Sequence, residues 1–367
     1  MVLSTPGRCP RERGLPTALW VVPVSDLGGV ARHVLDVADV GLPGWRLVVV
    51  CPAGPLAERL REAGAAVATA RFGPAAGFGA SVLALRQTVR ALRTSIVHAH
   101  LAYADLAAAA AVAGTGARLA TTEHGIAYDD TVYHGSPFKA RLMAAAHRAR
   151  FATTDVAIAV SAATRSAMVE KWRPGREIAV IPNGVDAAVV RSRVEAHRTA
   201  GRSGGLRVLS LSRLSAEKRL LELLQAFAML RRSRPDATLV IAGEGPERAP
   251  LEAAACALGL GESVAFPGFV EPYAAMGAAD VVVQLSVWEN CSYTLLDAAA
   301  AGLGVVATPV GGNPEILPQE CLVDADDAEG VARAIERQAV DGARRPFAWV
   351  SRREMADRIA RAYGGPS

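Results

Sequence analysis

Glu289 and Asp297 stand eight residues apart in the stretch ADVVVQLSVWENCSYTLLDAAAAG, residues 279–302. Val281, Val282, Val283 and Leu285 form a short, mostly β-branched apolar run that predicts a buried strand. Ser292 is an N-cap candidate. Leu295, Leu296 and Ala299 then recur at helical spacing up to Gly302, a residue type suited to the C′ position. The first carboxylate therefore falls in a strand-to-helix turn and the second inside the helix. A helix that begins at the carboxyl end of a parallel strand turns unsatisfied N–H groups toward the crevice where α/β proteins bind ligands. Two carboxylates beside such donors suit a ligand with sugar hydroxyls at one end and phosphates near them. The same window also describes an ordinary βα unit with two surface acids.

Other residues could join that chemistry. In LRVLSLSRLSAEKRLLELLQAFAML (206–230) a strand runs into a loop with Arg213 and Lys218 and then an amphipathic helix. Two cations at a strand-to-helix junction fit a diphosphate, because side-chain charge and helix N–H groups converge there. The alternative is two solvated surface cations. Gly243 and Gly245 form a Gly-x-Gly turn after the strand in ATLVIAGEGPER. Near the N-terminus, Gly28 and Gly29 follow a first strand read at Leu19–Val24 and would let backbone approach a ligand; the pattern is not the G-x-G-x-x-G of dinucleotide folds. His124 closes the strand in RLATTEHG, where open α/β sheets place chemistry; a structural histidine with a backbone partner is the competing reading. His98 and His100 point to one side of a strand and could hold a metal. No third ligand lies at recognisable spacing, so no metal is expected. Asp324-Ala-Asp326 resembles a metal-binding Asp-x-Asp but directly precedes a helix, which favours N-capping.

The elements that position these groups alternate strand and helix twice over. The 367 residues suggest about two domains, at 15–188 and 200–346, with the polar, glycine-rich RSRVEAHRTAGRSGG as the linker. The net charge of +4 is too small to argue for nucleic acid. Five scattered cysteines without C-x-x-C favour free thiols in a reducing compartment. Residues before Leu15 read as a loose basic tail, not a signal peptide, since Pro16 and Pro23 interrupt the apolar part. No stretch is long enough to span a membrane, and a cytoplasmic protein is expected. Residues 131–150 carry Lys139, Arg141, Arg148 and Arg150 and no acid. At helical spacing those charges fall on opposite faces, so a solvated helix, or one with one face at the cleft, is expected over a membrane-docking one.

Taken in order, LGG (27–29), TEHG (122–125), IAVS (158–161), IPNGVD (181–186), LSRLSAEKRL (211–220), IAGEGPE (241–247), SVWENCSYTLLDAAAAG (286–302) and PVGGNPEIL (309–317) resemble the retaining family 4 glycosyltransferases of the GT-B fold. The resemblance implies two Rossmann-like α/β domains facing each other across a cleft, with a C-terminal helical segment, 347–363, returning to the first. It implies transfer of a hexosyl group from a UDP- or GDP-sugar to a hydroxyl acceptor, such as a cell-envelope glycan precursor or a small natural product. Retention at C1, no cofactor and no divalent metal are also implied. By the same resemblance Arg213 and Lys218 hold the donor diphosphate, and Glu289 contacts the sugar hydroxyls beside Asn290, Cys291 and Ser292. Asp297 takes the ribose, His124 faces the sugar, and Gly28, Gly29, Gly243 and Gly245 belong to the nucleotide-sugar site. The family pattern has glutamate where this chain has Asp297, which shortens the reach by ~1.5 Å and bears on nucleotide preference. Two other readings are a sugar-nucleotide 2-epimerase of the same fold and a non-catalytic nucleotide-sugar-binding protein.

Overall fold

The computed structural model describes residues 2–4, 14–126, 147–198, 204–341 and 346–364. The chain divides into two units, Met1–Gly184 with Val350–Ser367, and Val185–Trp349. Each is an α/β structure on its own sheet.

Unit 1 holds β1 (Val2–Ser4), β2 (Thr17–Val21), β3 (Arg46–Cys51), β4 (Val67–Thr69), β5 (Ile96–His100), β6 (Arg118–Glu123), β7 (Val156–Ala159) and β8 (Ile178–Val180). Their order is β1-β4-β3-β2-β5-β6-β7-β8. All pairings are parallel except β1 on β4. The strands are short apolar runs because helices cover both faces of a parallel sheet; Leu19, Trp20 and Ile158 are fully buried. The helices are α1 (Gly29–Val40), α2 (Pro55–Glu62), α3 (Phe78–Leu92), α4 (Ala102–Val112), α5 (147–153) and α6 (Ala162–Trp172). Ser161 caps α6, as its position before the helical run predicts, accepting from Thr164 N. The strand order reverses between β2 and β5, which creates a crevice at their carboxyl ends.

Unit 2 holds β9 (Arg207–Leu211), β10 (Thr238–Ala242), β11 (Val264–Gly268), β12 (Val281–Gln284) and β13 (Gly304–Ala307), in the all-parallel order β11-β10-β9-β12-β13. Its helices are α7 (Ala187–Ala196), α8 (Leu220–Ser233), α9 (Arg248–Ala257), α10 (Pro272–Ala278), α11 (Tyr293–Ala300), α12 (Asn313–Ile316) and α13 (Ala328–Asp341). Leu224, Phe227, Ile241, Val283 and Ile335 form the centre of its core. Here the reversal lies between β9 and β12. The last helix, α14 (Arg352–Ala362), belongs to unit 1 and packs on α1.

Several sequence expectations change. Residues 191–196 of the expected linker are helix: α7 buries Val190 and Val194 and packs on α10 and α11 of unit 2. Two buried valines four residues apart give the helix an apolar stripe beside its Arg, Ser and Glu residues. Part of the expected loose tail is the edge strand β1, and β2 ends at Val21, three residues early. The cap of α13 comes from neither Asp324 nor Asp326 but from Asp327, whose Oδ1 accepts from Gly330 N at 2.8 Å. Asp326 instead accepts from the Arg219 guanidinium. Lys139 and Arg141 lie outside the described residues. Arg148 is exposed as expected, whereas Arg150 is buried, its side chain 1% exposed, between Asp105 and Glu123. Among the described residues, no helix is long and apolar enough to cross a membrane.

Candidate active site

β9 and β12 are neighbours at the reversal of the unit 2 sheet. The loops leaving their carboxyl ends carry Arg213 to Lys218 and Ser286 to Ser292, so the sheet order brings the two sequence-distant stretches together. The Lys218 ammonium lies 2.5 Å from Glu289 Oε1 and 3.4 Å from Ser286 Oγ. Both side chains of this ion pair are largely buried, 16% and 13% exposed. The same carboxylate oxygen accepts from the Ser286 hydroxyl at 2.8 Å and from the Gln284 amide. The Lys218 ammonium also stands 5.9 Å from the centre of the Trp288 ring, within reach of its π face.

Backbone contacts fix this geometry. Val287 N donates to Glu217 O at 2.8 Å, tying one loop to the other. Thr308 Oγ1 donates to Ser286 O at 2.6 Å. Ser292 donates to Gln284 Oε1 at 2.9 Å and caps α11 by accepting from Leu295 N at 3.4 Å. The cap residue thus also orients the glutamine that orients Glu289. Asn290, Cys291 and Ser292 are buried in this turn, and Asp297 is buried on α11 at 1% exposure. Gly302 follows α11 with φ +73°, the left-handed C′ geometry its type predicts.

Arg213 is placed differently. Its side chain is 65% exposed and pairs with Glu217 Oε1 at 3.0 Å. Burial pushes the Glu217 carboxyl up, but the Ser215 hydroxyl, a backbone amide and Arg213 outweigh it and hold it below the usual range. Gly243 and Gly245 pack against the loop that carries Arg213. A Cβ at Gly243 would sit 1.9 Å from Ser212 O, and one at Gly245 2.1 Å from Leu214 O. Gly243 N donates to Gly268 O at 2.8 Å, so that amide serves the fold. These glycines position Arg213 by allowing close approach. Gly311 does the same for Glu289: at φ +52° its Cβ would fall 1.6 Å from Glu289 O. Gly311→Ala is expected to lower stability by ~1–3 kcal/mol through overpacking and, if Glu289 holds a ligand as the resemblance implies, to weaken that binding by moving it. Urea denaturation and donor titration check this; wild-type values in both would disprove the positioning role.

In unit 1, Gly28 precedes α1 and Gly29 begins it, and a Cβ at either meets nothing within 4 Å. Neither adopts the left-handed region, so the fold itself imposes no glycine there. His124 is half-buried after β6. Its Nε2 lies 2.8 Å from His100 Nδ1. The His33 ring, from α1, stands edge-on to it with centres 4.8 Å apart. His33 Nδ1 pairs with Asn183 Oδ1 at 3.1 Å. His98 bonds the Tyr363 hydroxyl and, at 2.7 Å, Thr122 Oγ1, and Trp20 Nε1 donates to Tyr363 at 3.0 Å. Burial pushes His33 down to about 4, against the raising effect of Asn183. It pushes His98, His100 and His124 well below the usual imidazole value, and the neighbouring rings add to the effect. All four rings are therefore neutral at neutral pH.

Sequence reasoning missed Gln284, Ser286, Glu217 and His33. A signal existed for two of them: Gln284 and Ser286 are polar residues two apart inside an otherwise apolar run. His33 sits on an ordinary amphipathic helix and carries no local mark.

The Glycosyltransferase Family 4 model matches residues 27–189, and the Glycosyl transferases group 1 model matches residues 195–348. Glycogen synthase of Mycobacterium tuberculosis is 29% identical over 328 residues, 81% of this chain and 78% of that protein. N-acetyl-α-D-glucosaminyl L-malate synthase of Bacillus anthracis is 29% identical over 245 residues, 65% of this chain and 61% of that one. Among solved structures, Anabaena HepE in complex with UDP and glucose superposes with a TM-score of 0.74 at 21% identity, covering 95% of this chain and 99% of that one. The loops at the β9–β12 reversal, the two matched halves and the shared architecture agree, and the chain is a glycosyltransferase of the GT-B fold and the family 4 type.

Proposed function

We propose that the protein is a retaining transferase that moves a hexosyl group from a UDP- or GDP-sugar to a hydroxyl on a glycan precursor or small natural product. The Lys218–Glu289 pair at the reversal of the unit 2 sheet carries this reading. A cation and a carboxylate, both shielded from water, sit in the crevice where such sheets bind nucleotides. Breaking the bond between sugar C1 and phosphate builds negative charge on the departing diphosphate. Lys218 and Arg213 are the cations assigned to it. Glu289 accepts hydrogen bonds from the sugar hydroxyls, with Gln284 and Ser286 fixing its orientation. Asp297 on α11 takes the ribose, and the departing phosphate accepts the acceptor's proton. This step requires no divalent ion, because fixed cations supply the charge. The family resemblance assigns His124, Gly28 and Gly29 of unit 1 to the same donor. UDP is bound by the HepE structure that shares this fold, which supports a nucleoside-diphosphate-sugar donor.

A melting-temperature screen against UDP, GDP and their sugars tests the reading. Ligand at about 100 times its Kd adds ~2.7 kcal/mol to native stability, so the true donor should raise the melting point clearly. No shift with any of them would remove the basis of the proposal. Turnover of a UDP-sugar without acceptor would instead favour the 2-epimerase. Binding with no release of UDP or GDP under any acceptor would favour the non-catalytic reading.

A further inference from the structure

We propose that His33, His100 and His124 form a binding site for a divalent transition ion of the zinc type, one that takes no part in the transfer step but engages His124. The three imidazoles come from α1, from the end of β5 and from the loop after β6, and the order reversal of the unit 1 sheet gathers them. One nitrogen from each lies within 4.8 Å of the others. A tetrahedral ion with Zn–N bonds of about 2.0–2.1 Å needs its ligand atoms about 3.3–3.4 Å apart. His100 Nδ1 and His124 Nε2, at 2.8 Å, therefore have to open slightly, and the third ring has to close in. An ion there replaces the proton that the two rings share, and that proton moves to the far nitrogen of its own imidazole.

His33 is already set for ligation. Its Nδ1 faces the Asn183 carbonyl oxygen, which only accepts, so Nδ1 carries the proton and Nε2 presents a lone pair. A hydrogen-bonded far nitrogen is the arrangement that orients metal-binding histidines. His33 Nε2 is buried without a hydrogen-bond partner. Unpartnered buried nitrogens are costly, and an ion gives His33 the partner it lacks. His33 and His100 are fully enclosed while His124 is half-buried, so the third ligand is also the entry. Three imidazoles with no carboxylate or thiolate suit zinc, copper or nickel over magnesium or calcium. Ligation removes His124 Nε2 from any other partner. On the reading above, in which His124 faces the donor sugar, zinc therefore inhibits transfer.

The test uses the full-length protein, stripped of metal and titrated with zinc chloride against a chromophoric chelator. One equivalent should bind tightly, and His33→Gln and His100→Gln should each weaken it at least ~10-fold. Undiminished binding in both variants, or none in wild type, overturns the site and leaves the transferase reading intact. If either variant fails to fold by circular dichroism, cobalt(II) added to wild type decides. A visible spectrum of four- or five-coordinate cobalt with nitrogen ligands supports the site. An octahedral spectrum, or sulfur-to-cobalt charge transfer from the thiols, overturns it. Zinc should also inhibit wild type, reversibly with a chelator, and inhibit His33→Gln less. Tight binding at the histidines without inhibition would uphold the site and refute the role given to His124.

Discussion

Lys218→Ala is expected to lower kcat for sugar transfer about 10²–10³-fold, the usual cost of removing one preorganised group that stabilises transition-state charge. In free energy that is ~3–4 kcal/mol, at 1.36 kcal/mol per factor of ten. The fold should survive. Glu289, left without its cation, still accepts from Ser286 and Gln284, so its carboxylate is not stranded. The partition between parameters is informative. A group that meets charge only as the diphosphate leaves shows its loss in kcat; a group that merely grips the donor shows it in KM. Glu289→Ala should be similarly damaging, and the double variant little worse than either single one, because residues in contact are not additive. Full activity in Lys218→Ala, with the melting point of wild type, would end the assignment of that residue to the reaction.

The second large effect is one of stability. Arg150→Met should cost ~3–5 kcal/mol, the range for removing one partner from a buried ion pair. The Arg150 guanidinium contacts Glu123 Oε2 at 2.9 Å and the Asp105 carboxylate, with side-chain exposures of 1%, 5% and 3%. Thr121 Oγ1 also donates to Asp105 at 2.5 Å. The Arg150 guanidinium carbon lies 4.7 Å from the ring centre of Phe151 and 5.2 Å from that of Trp172. Burial pushes the Glu123 carboxyl up to about 8 and Arg150 down to about 9. At neutral pH Arg150 keeps its charge while Glu123, raised to about 8, largely holds its proton, so removing Arg150 leaves the enclosed Asp105 carboxyl without its cation and Glu123 without its donor. Urea denaturation measures the loss. The exposed neighbour Arg148→Met should stay within ~0.5 kcal/mol of wild type. Equal, small effects in the two variants would show that the buried cluster contributes little. Glu123 directly precedes His124, so the cluster also anchors the strand end that carries that histidine.

Local signals in the sequence settled much of this protein. The βα alternation, the caps at Ser161 and Ser292 and the left-handed Gly302 are short-range features, set by periodicity and backbone sterics that each window contains. A family resemblance implied that Lys218 and Glu289 serve one ligand; that they pair with each other follows from which strands adjoin. Other features only the tertiary structure decided. Arg150 reads as one more surface charge until Asp105 and Glu123 are brought around it. Val190 and Val194 make a helix of a stretch whose composition is that of a linker. His33, His100 and His124 are far apart in the chain, and no motif joins the three. They meet because the sheet of unit 1 reverses its order between β2 and β5. Burial and proximity across the chain depend on how strands are ordered, and no local pattern encodes that order.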